Sequence, residues 1–214
     1  MDNLVLEDLQ CNNLMIYQKV DGYRFTSDAV SLANFVKVKK NGVLIDLCSG
    51  SGVIGILCNA KNLIRKVYMV ELQKNMADMC KKTLEYNKIN NIEVLNRPLQ
   101  GVAENFKGVN VDVIVCNPPY FKKEEKTCVN KEIAIARQEI EVSLEEVIKE
   151  SSKILKDGGR FYLCHKISRL AEIFLLLKQY KLEPKELKIL SDSKNDESIL
   201  IKAVKMGEVG LRLV

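Results

Sequence analysis

The sequence predicts an α/β fold built on a doubly wound, mostly parallel, seven-stranded sheet. Two observations carry this prediction. Short segments rich in β-branched residues alternate with helical segments along the chain, which indicates βαβ units with helices on both faces of the sheet. One segment, residues 111–117, is apolar at nearly every position, as expected for a strand that is buried on both faces. The 214 residues suffice for one sizeable domain.

Strands and helices are predicted in alternation along most of the chain. The predicted strands lie at residues 43–47, 66–72, 92–96, 111–117, 159–166, 187–190 and 199–205. The predicted helices lie at residues 53–61, 74–87, 144–156 and 168–180. Ser143 and Glu146 have the Ser-x-x-Glu spacing of a capping box, which marks the start of the third of these helices. Because such sheets bind ligands beyond the carboxyl ends of their strands, we expect the chemistry where each strand ends.

The composition indicates which cellular compartment and which classes of partner suit the protein. The net charge of +5 and the pI of about 8.7 are compatible with a polyanionic partner but do not require one. The seven cysteines form no Cys-x-x-Cys pair, so we expect no metal site. Their odd number and the absence of a signal peptide fit a reducing cytoplasm. No apolar run approaches the ~20 residues of a membrane span, so we expect no membrane partner.

The first predicted strand ends in a glycine-rich turn, Asp46-Leu47-Cys48-Ser49-Gly50-Ser51-Gly52. Gly50, Gly52 and Gly55 match the Gly-x-Gly-x-x-Gly pattern of dinucleotide-binding turns, where glycine lets the backbone approach a ligand closely. A plain helix-entry turn is the structural alternative. Asp46 adds a carboxylate that can pair with a ligand ammonium, which S-adenosyl-L-methionine (AdoMet) carries and NAD lacks.

Glu71 ends the second predicted strand. A carboxylate at this point can accept hydrogen bonds from both hydroxyls of a ribose. AdoMet and NAD both contain an adenosine ribose, so Glu71 indicates a nucleoside cofactor without choosing between them. A solvated acidic residue is the structural alternative.

The fourth predicted strand ends in Asn117-Pro118-Pro119-Tyr120, the most specific signal in the chain. The two prolines remove two backbone donors and fix the direction of the loop, so the Asn117 side-chain carbonyl and the Pro118 backbone carbonyl can face one amine. An exocyclic base amine is a poor nucleophile because its lone pair is delocalised into the ring. Two acceptors that hold its two hydrogens favour a pyramidal nitrogen, whose lone pair can then point at a methyl donor. Tyr120 can stack on the base, a contact worth roughly 1–3 kcal/mol. We expect Asn117, Pro118, Pro119 and Tyr120 to be catalytic.

These motifs resemble those of the class I AdoMet-dependent methyltransferases with an Asn-Pro-Pro-Tyr motif, which have a Rossmann-like fold. Residues 21–30 and 136–140 are similar to segments of the bacterial family that makes N6-methyladenine at position 37 of a valine tRNA. The resemblance runs from about residue 4 to about residue 212. We expect an N-terminal extension and helix covering the cofactor site at 1–40, a methyltransferase domain at 41–206 and a C-terminal tail at 207–214.

The resemblance implies that the protein transfers a methyl group from AdoMet to the N6 amine of an adenine in tRNA. The glycine turn would hold the methionine end of AdoMet, and Glu71 its ribose. Relatives usually carry Asp near the cofactor adenine, where this chain has Pro98, so the Leu99 backbone would serve instead. Phe25 and Thr26 would close over the cofactor. The predicted cofactor-binding residues are Phe25, Thr26, Asp46, Cys48, Ser49, Gly50, Gly52, Glu71, Leu72, Pro98, Leu99 and Asn117.

Residues 121–142 show little periodicity, and loops of this length are often lids or binding loops. We predict that Lys122, Lys123 and Arg137 in this segment bind tRNA phosphates together with Arg24 from the N-terminal segment. A solvated loop is the alternative, because acidic residues are interspersed with the basic ones. The tRNA would be bound by the surface of this domain, as a monomer or a homodimer.

Other functions remain open. Enzymes that methylate a glutamine amide in release factors share the Asn-Pro-Pro-Tyr motif, since an amide nitrogen poses the same chemical problem, but they usually carry an N-terminal helical domain. Another RNA base amine is a further alternative acceptor. A NAD-dependent oxidoreductase would use the glycine turn and leave residues 117–120 unexplained. A non-catalytic AdoMet-binding RNA chaperone would not need Asn117 and Tyr120. His165 has no nucleophile pattern around it, so we expect a structural role for it.

Overall fold

The computed structural model describes residues 3–22, 24–120, 141–190 and 197–214. The strands in these ranges are β1 (Leu4–Asp8), β2 (Met15–Lys19), β3 (Val43–Leu47), β4 (Lys66–Glu71), β5 (Ile92–Asn96), β6 (Val111–Cys116), β7 (Leu155–Lys166), β8 (Leu182–Leu190), β9 (Ser198–Lys205) and β10 (Arg212–Leu213). The helices are α1 (Ser27–Phe35), α2 (Val53–Lys61), α3 (Lys74–Tyr86), α4 (Leu144–Ile154) and α5 (Leu170–Gln179), with 3-10 helices at Val102–Phe106 and Ile167–Arg169.

The central sheet confirms the predicted α/β class. Its strand order is β10-β8-β9-β7-β6-β3-β4-β5, and every neighbouring pair is parallel except the two pairs that β9 makes with β7 and β8. Seven of these strands are the predicted ones. The two-residue strand β10 adds an eighth strand at the edge beside β8, in a tail too short to show any periodicity.

Helices cover both faces of the sheet, as its strand sequences require. Apolar residues of α1 and α2 share one core cluster with Leu44 and Val115. Apolar residues of α4 and α5 share the other cluster with Ile45 and Ile114. Each central strand therefore contributes alternate side chains to opposite cores, which explains why its sequence is apolar at most positions. No helix among the described residues is long and apolar enough to span a bilayer.

The strand order reverses between β3 and β6, which lie side by side in parallel. From β3 the sheet continues to β4 and β5 on one side, and from β6 to β7 on the other. The loops that follow β3 and β6 consequently diverge to opposite faces and leave a crevice at the carboxyl ends of the strands. The glycine turn, Glu71 and Asn117 all lie at this edge of the sheet.

Two strands extend beyond their predicted limits. β7 begins at Leu155, immediately after α4, and its register against β6 shifts before Arg160. β8 begins five residues early, at Leu182, and contains Pro184. Proline cannot donate to a sheet ladder, so the sequence gives little sign of a strand across residue 184. The register shift beside Pro184 shows how the sheet accommodates it, because the irregularity between β8 and β9 falls at this residue.

The N-terminal segment forms a feature that was not predicted, an antiparallel hairpin of β1 and β2. Asn87 at the end of α3 joins this hairpin to the domain. Its Oδ1 accepts the Met15 N–H at 3.0 Å, and its Nδ2 donates to the Met15 carbonyl at 2.7 Å. The Tyr17 N–H donates to Thr83 Oγ1 at 3.1 Å, and the Tyr17 ring contacts Tyr86 edge-on. The hairpin is therefore anchored on α3. The division of the chain at residues 40 and 206 stays a prediction.

We predict that Asn87→Ala loosens this hairpin. The substitution removes two hydrogen bonds to the Met15 backbone, each worth roughly 0.5–1.5 kcal/mol, so the free energy of local opening should fall by about 1–3 kcal/mol. Native-state hydrogen exchange in β2 measures that quantity, with the buried strand β6 as an internal reference. The exposed Asn90→Ala serves as the control variant. Unchanged exchange in β2 would show that the anchor lies elsewhere.

Candidate active site

A cleft opens at the carboxyl ends of β3, β4 and β6. Seven of the residues predicted from the sequence line it together: Cys48, Gly50, Glu71, Leu72, Leu99, Asn117 and Pro119. Several of its other lining residues were not predicted from the sequence, among them Gln73, Met76, Arg97, Gln100, Glu141 and Val142. Apart from Glu141 and Val142, they follow the ends of β4 and β5, which is the signal that could have found them.

The glycine turn brings the start of α2 very close to the sheet. Gly52 has a φ of 84°, a left-handed conformation that side chains rarely adopt, and a Cβ there would lie 3.0 Å from both Cys80 Sγ and Met69 Sδ. A Cβ on Gly55 would lie 2.7 Å from Met69 Cε. Glycine is therefore required at Gly52 by its conformation, whereas a side chain at Gly55 would have to displace the end of the Met69 side chain.

Asp46 lies beneath this turn and is fully buried. Its Oδ2 accepts the Gly55 N–H at 2.9 Å, while its Oδ1 has no hydrogen-bond partner among the described residues. Burial raises the pKa of Asp46 to about 8, and the charge of Glu71 also raises it, against the lowering effect of the Gly55 hydrogen bond. Asp46 thus supports the turn from inside and does not line the cleft. Whether it also pairs with a ligand ammonium stays a prediction.

Glu71 lies at the end of β4 with 6% of its surface exposed. Its Oε2 accepts the Gly50 N–H and its Oε1 accepts the Gln73 N–H, both at 2.8 Å. Burial raises the pKa of this carboxyl group, while the hydrogen bonds from the backbone of Gln73 and Gly50 lower it. A carboxylate offers about four lone-pair positions, so both oxygens can still accept a hydroxyl from the cleft.

The end of β5 closes the cleft on the side away from β6. Leu99 is buried and lines the cleft, whereas Pro98 is exposed and does not. Gln100 lines it as well, and its Nε2 donates to the Glu141 carbonyl at 2.9 Å and to Glu146 Oε1 at 3.1 Å. Gln100 therefore ties this wall to the start of α4.

A chain of polar side chains holds the N-terminal residues Arg24 and Phe25. Gln18 is almost completely buried; its Oε1 accepts the Phe25 N–H at 3.2 Å and its Nε2 donates to Glu7. Arg24 also donates to Glu7, and its side chain is 49% exposed. Phe25 packs against the core, and Thr26 is the exposed N-cap residue of α1. Gln18 was not predicted from the sequence, because a polar residue in a hairpin gives no sign of burial.

The Asn-Pro-Pro-Tyr motif follows β6 directly. Asn117 Oδ1 is buried and has no hydrogen-bond partner among the described residues. Pro118 and Pro119 are buried, and Tyr120 is half-buried. The Tyr120 ring meets the His165 ring edge-on, with the two ring centroids 5.7 Å apart. The motif therefore presents an unsatisfied carbonyl oxygen beside an aromatic ring.

His165 is fully buried near the end of β7. Its Nδ1 accepts the Lys166 N–H at 2.8 Å. Burial lowers the pKa of His165 to about 4, and the charge of Arg169 lowers it further. The ring is consequently neutral at physiological pH, and its proton lies on Nε2 because Nδ1 is an acceptor. This leaves the ring without an acceptor nitrogen for proton transfer, in keeping with the structural role expected for it.

The remaining predicted site residues take different positions. Ser49 is buried within the glycine turn. Lys122, Lys123 and Arg137 lie outside the described residues, so their role in RNA binding stays a prediction. Within the part of the chain that is described, no group of three His, Cys, Asp or Glu side chains could hold a metal ion.

The chain matches the family model of the methyltransferase small domain over residues 28–179. Among curated proteins, it is 25% identical over 181 residues to the tRNA1(Val) (adenine(37)-N6)-methyltransferase of Shewanella putrefaciens, covering 83% of this chain and 71% of that protein. It is also 30% identical over 111 residues to the release factor glutamine methyltransferase of Borreliella burgdorferi, covering 50% of this chain and 37% of that protein.

A solved structure shares the fold. The TYW2 protein of M. jannaschii in complex with AdoMet superimposes with a TM-score of 0.65 at 11% identity, covering 96% of this chain and 88% of that one. The family model extends over well over half of the chain. The protein therefore belongs to the methyltransferase small domain family, whose enzymes take their methyl group from AdoMet.

Proposed function

We propose that this protein transfers the methyl group of AdoMet to the N6 amine of an adenine in tRNA, at position 37 of a valine tRNA. The observation that carries this proposal is the buried, unpartnered Oδ1 of Asn117, which borders the same cleft as Glu71. A buried polar atom without a partner is costly, so its presence at a cleft indicates a donor from a ligand. An amine with two hydrogens, held next to a methyl donor, fits that requirement.

The residues of the cleft fit AdoMet as the cofactor. Glu71, buried and oriented by two backbone N–H groups, would accept the ribose hydroxyls beside Leu72. The close approach of backbone at Gly50 and Gly52 would admit the methionine end alongside Cys48 and Ser49. Asp46 below the turn would pair with the ammonium group, whose positive charge would favour the ionised form of this carboxyl group. AdoMet supplies an electrophilic methyl group on a sulfonium.

The other end of the cofactor would meet the wall formed at the end of β5. Leu99 would pack against the cofactor adenine, with Pro98 at the rim. Phe25 and Thr26 would cover the cofactor from the N-terminal side, where Gln18 holds the Phe25 backbone.

Asn117 and Pro118 would orient the acceptor amine. Two carbonyl oxygens that accept the two N–H groups hold the nitrogen lone pair towards the methyl group, so the contribution to rate is one of positioning. Tyr120 would stack on the base and keep it in place, with its ring supported from the side by His165. The neutral His165 ring has no role as a base in this scheme, since its Nδ1 already accepts a backbone N–H. The proton leaves during or after the transfer.

The tRNA substrate is proposed from the relatives and from chemistry. The S. putrefaciens relative is aligned over 83% of this chain, against 50% for the release factor enzyme of B. burgdorferi. The net charge of +5 suits a polyanion. An adenine in an anticodon loop is already unpaired, which lowers the cost of moving it into a pocket. The cytoplasmic location and the monomeric or dimeric state stay predictions.

The first test is methyl transfer from tritiated AdoMet to unmodified valine tRNA, beside the same tRNA with adenine 37 replaced by guanine. We expect radioactivity in the first RNA and none in the second, because guanine presents a carbonyl where adenine presents the amine. Equal labelling of both would place the target base elsewhere. Labelling of a release factor instead of RNA would favour the glutamine amide. AdoMet binding without labelling of either would favour a non-catalytic protein.

Glu71→Gln should weaken AdoMet binding by about 10- to 100-fold, because hydrogen bonds to a charged acceptor contribute roughly 1.5–3 kcal/mol. Isothermal titration calorimetry measures this affinity without any RNA. The control is Glu93→Gln, the same chemical change on an exposed residue of β5. An unchanged affinity for Glu71→Gln would remove Glu71 from the cofactor site.

Asn117→Ala should reduce the methylation rate by about 100-fold or more, the scale seen when one preorganised hydrogen-bond partner is removed from an active site. AdoMet affinity should stay within a few-fold, since the side chain mainly contacts the acceptor. Single-turnover rates and calorimetry give the two quantities, with Asn90→Ala as the remote control. If AdoMet binding were lost together with the rate, Asn117 would belong to the cofactor site and not to the acceptor site.

A further inference from the structure

Gln100 joins two walls of the cleft through both hydrogens of its side-chain amide. Its Nε2 donates to the Glu141 carbonyl at 2.9 Å and to Glu146 Oε1 at 3.1 Å. A carbonyl oxygen and a carboxylate oxygen only accept hydrogen bonds, so the nitrogen of the amide, and not its oxygen, must face both partners. The Oε1 of Gln100 remains as an acceptor, and it makes no hydrogen bond within the part of the chain that is described.

Glu146 is itself fixed by the capping box of α4. Its Oε2 accepts the Ser143 N–H at 2.8 Å, which leaves Oε1 to Gln100. The hydrogen bond from the Ser143 backbone lowers the pKa of Glu146, and the one from Gln100 also lowers it, against the raising effect of burial. Glu146 is consequently ionised at neutral pH and offers only acceptors. The orientation of the Gln100 amide is therefore set by the fold before a ligand binds.

The pairing of β4 with β5 places Gln100 near the base of a bound cofactor. Glu71, the proposed ribose ligand, is the register partner of Asn96 in β5. Asn96 Nδ2 donates to the carbonyls of Glu71 and Leu72, both at 2.9 Å, and the Arg97 N–H donates to the Glu71 carbonyl at 3.0 Å. The methionine end would lie at the glycine turn on one side of β4. The base would therefore extend to the other side, past the end of β5, where Gln100 lines the cleft.

Gln100 supplies the side-chain acceptor of this wall. Arg97 also lines the cleft, but a guanidinium group only donates hydrogen bonds. Leu99 contributes apolar surface, and Pro98 does not line the cleft. Among residues 97–100, Gln100 alone therefore offers a side-chain oxygen to an amine of a ligand.

We propose that Gln100 Oε1 accepts a hydrogen bond from the exocyclic amine of the cofactor adenine and thereby selects adenine at this site. The inference rests on the proposed position of AdoMet in the cleft. A base with a carbonyl oxygen in place of the amine would bring two acceptors together. The Gln100 amide could turn its nitrogen towards such a base only by losing its hydrogen bonds to Glu141 and Glu146. Rejection of the wrong base therefore follows from the contacts that orient the amide.

The first experiment compares three ligands on the wild-type protein by isothermal titration calorimetry. S-adenosylhomocysteine, which remains when AdoMet has lost its methyl group, is the reference. A purine analogue with hydrogen in place of the amine should bind about 2- to 10-fold more weakly, the effect of one hydrogen bond. S-inosylhomocysteine, which has a carbonyl oxygen at that position, should bind more weakly still. Equal affinity for the adenine and the unsubstituted purine ligand would overturn the proposal without any variant.

The second experiment assigns this preference to Gln100. Gln100→Leu should bind S-adenosylhomocysteine about 2- to 10-fold more weakly and should bind the unsubstituted purine ligand equally well. Each ratio is taken on one protein, so a general loss of affinity in the variant cancels. Gln179→Leu, the same change on the exposed last residue of α5, is the matched control and should keep the wild-type ratio. A wild-type ratio in Gln100→Leu would overturn the assignment.

Failure of this inference differs from failure of the proposed function. If the wild type binds S-adenosylhomocysteine, Glu71→Gln weakens that binding and the preference for adenine does not depend on Gln100, this inference alone is removed. If the wild type does not bind S-adenosylhomocysteine, or Glu71→Gln leaves its affinity unchanged, the proposed position of the cofactor is removed together with the role of Gln100.

Discussion

Two buried carboxylates hold the turn between β3 and α2, and the cleft depends on that turn. Asp46 binds the Gly55 N–H from beneath, and Glu71 binds the Gly50 N–H from the end of the neighbouring strand. The arrangement has an energetic cost, because burial raises the pKa of both groups and Glu71 adds to the effect on Asp46. The folded state holds the Asp46 proton more tightly than the unfolded chain does. Its contribution to stability is therefore lost as pH rises from the ordinary Asp range to about 8.

The sequence alone was sufficient for the features that local patterns encode. The limits of β3, α2 and β5 agree with the expected ones. The apolar run of β3 and the glycine turn after it mark the end of β3 and the start of α2. The capping box of Ser143 and Glu146 is present with both of its hydrogen bonds. The convergence of Gly50, Glu71 and Asn117 on one cleft followed from one rule, that parallel strands present their carboxyl ends at the same edge.

Contacts between distant parts of the chain were beyond such reasoning. The bond between Ser198 and Asp28 joins residues that are 170 positions apart, and no local pattern predicts this contact. Gln18 is buried because it satisfies the Phe25 backbone, which depends on how the hairpin docks on α3. The position of Asp46 beneath the turn was missed for a related reason: strand alternation gives the face of a side chain, but the approach of Gly55 decides what its carboxylate contacts. The first half of β8 was also missed. It contains Pro184, which the sheet accommodates by a register shift between β8 and β9.

Membership of a methyltransferase family removes the NAD-dependent alternative that the glycine turn left open. It does not choose between an adenine and a glutamine acceptor, and the motif explains why. Both acceptors are planar nitrogens whose lone pairs are delocalised, so the proposed pair of carbonyl oxygens at Asn117 and Pro118 would serve either of them. The discrimination must therefore come from groups that meet the rest of the substrate.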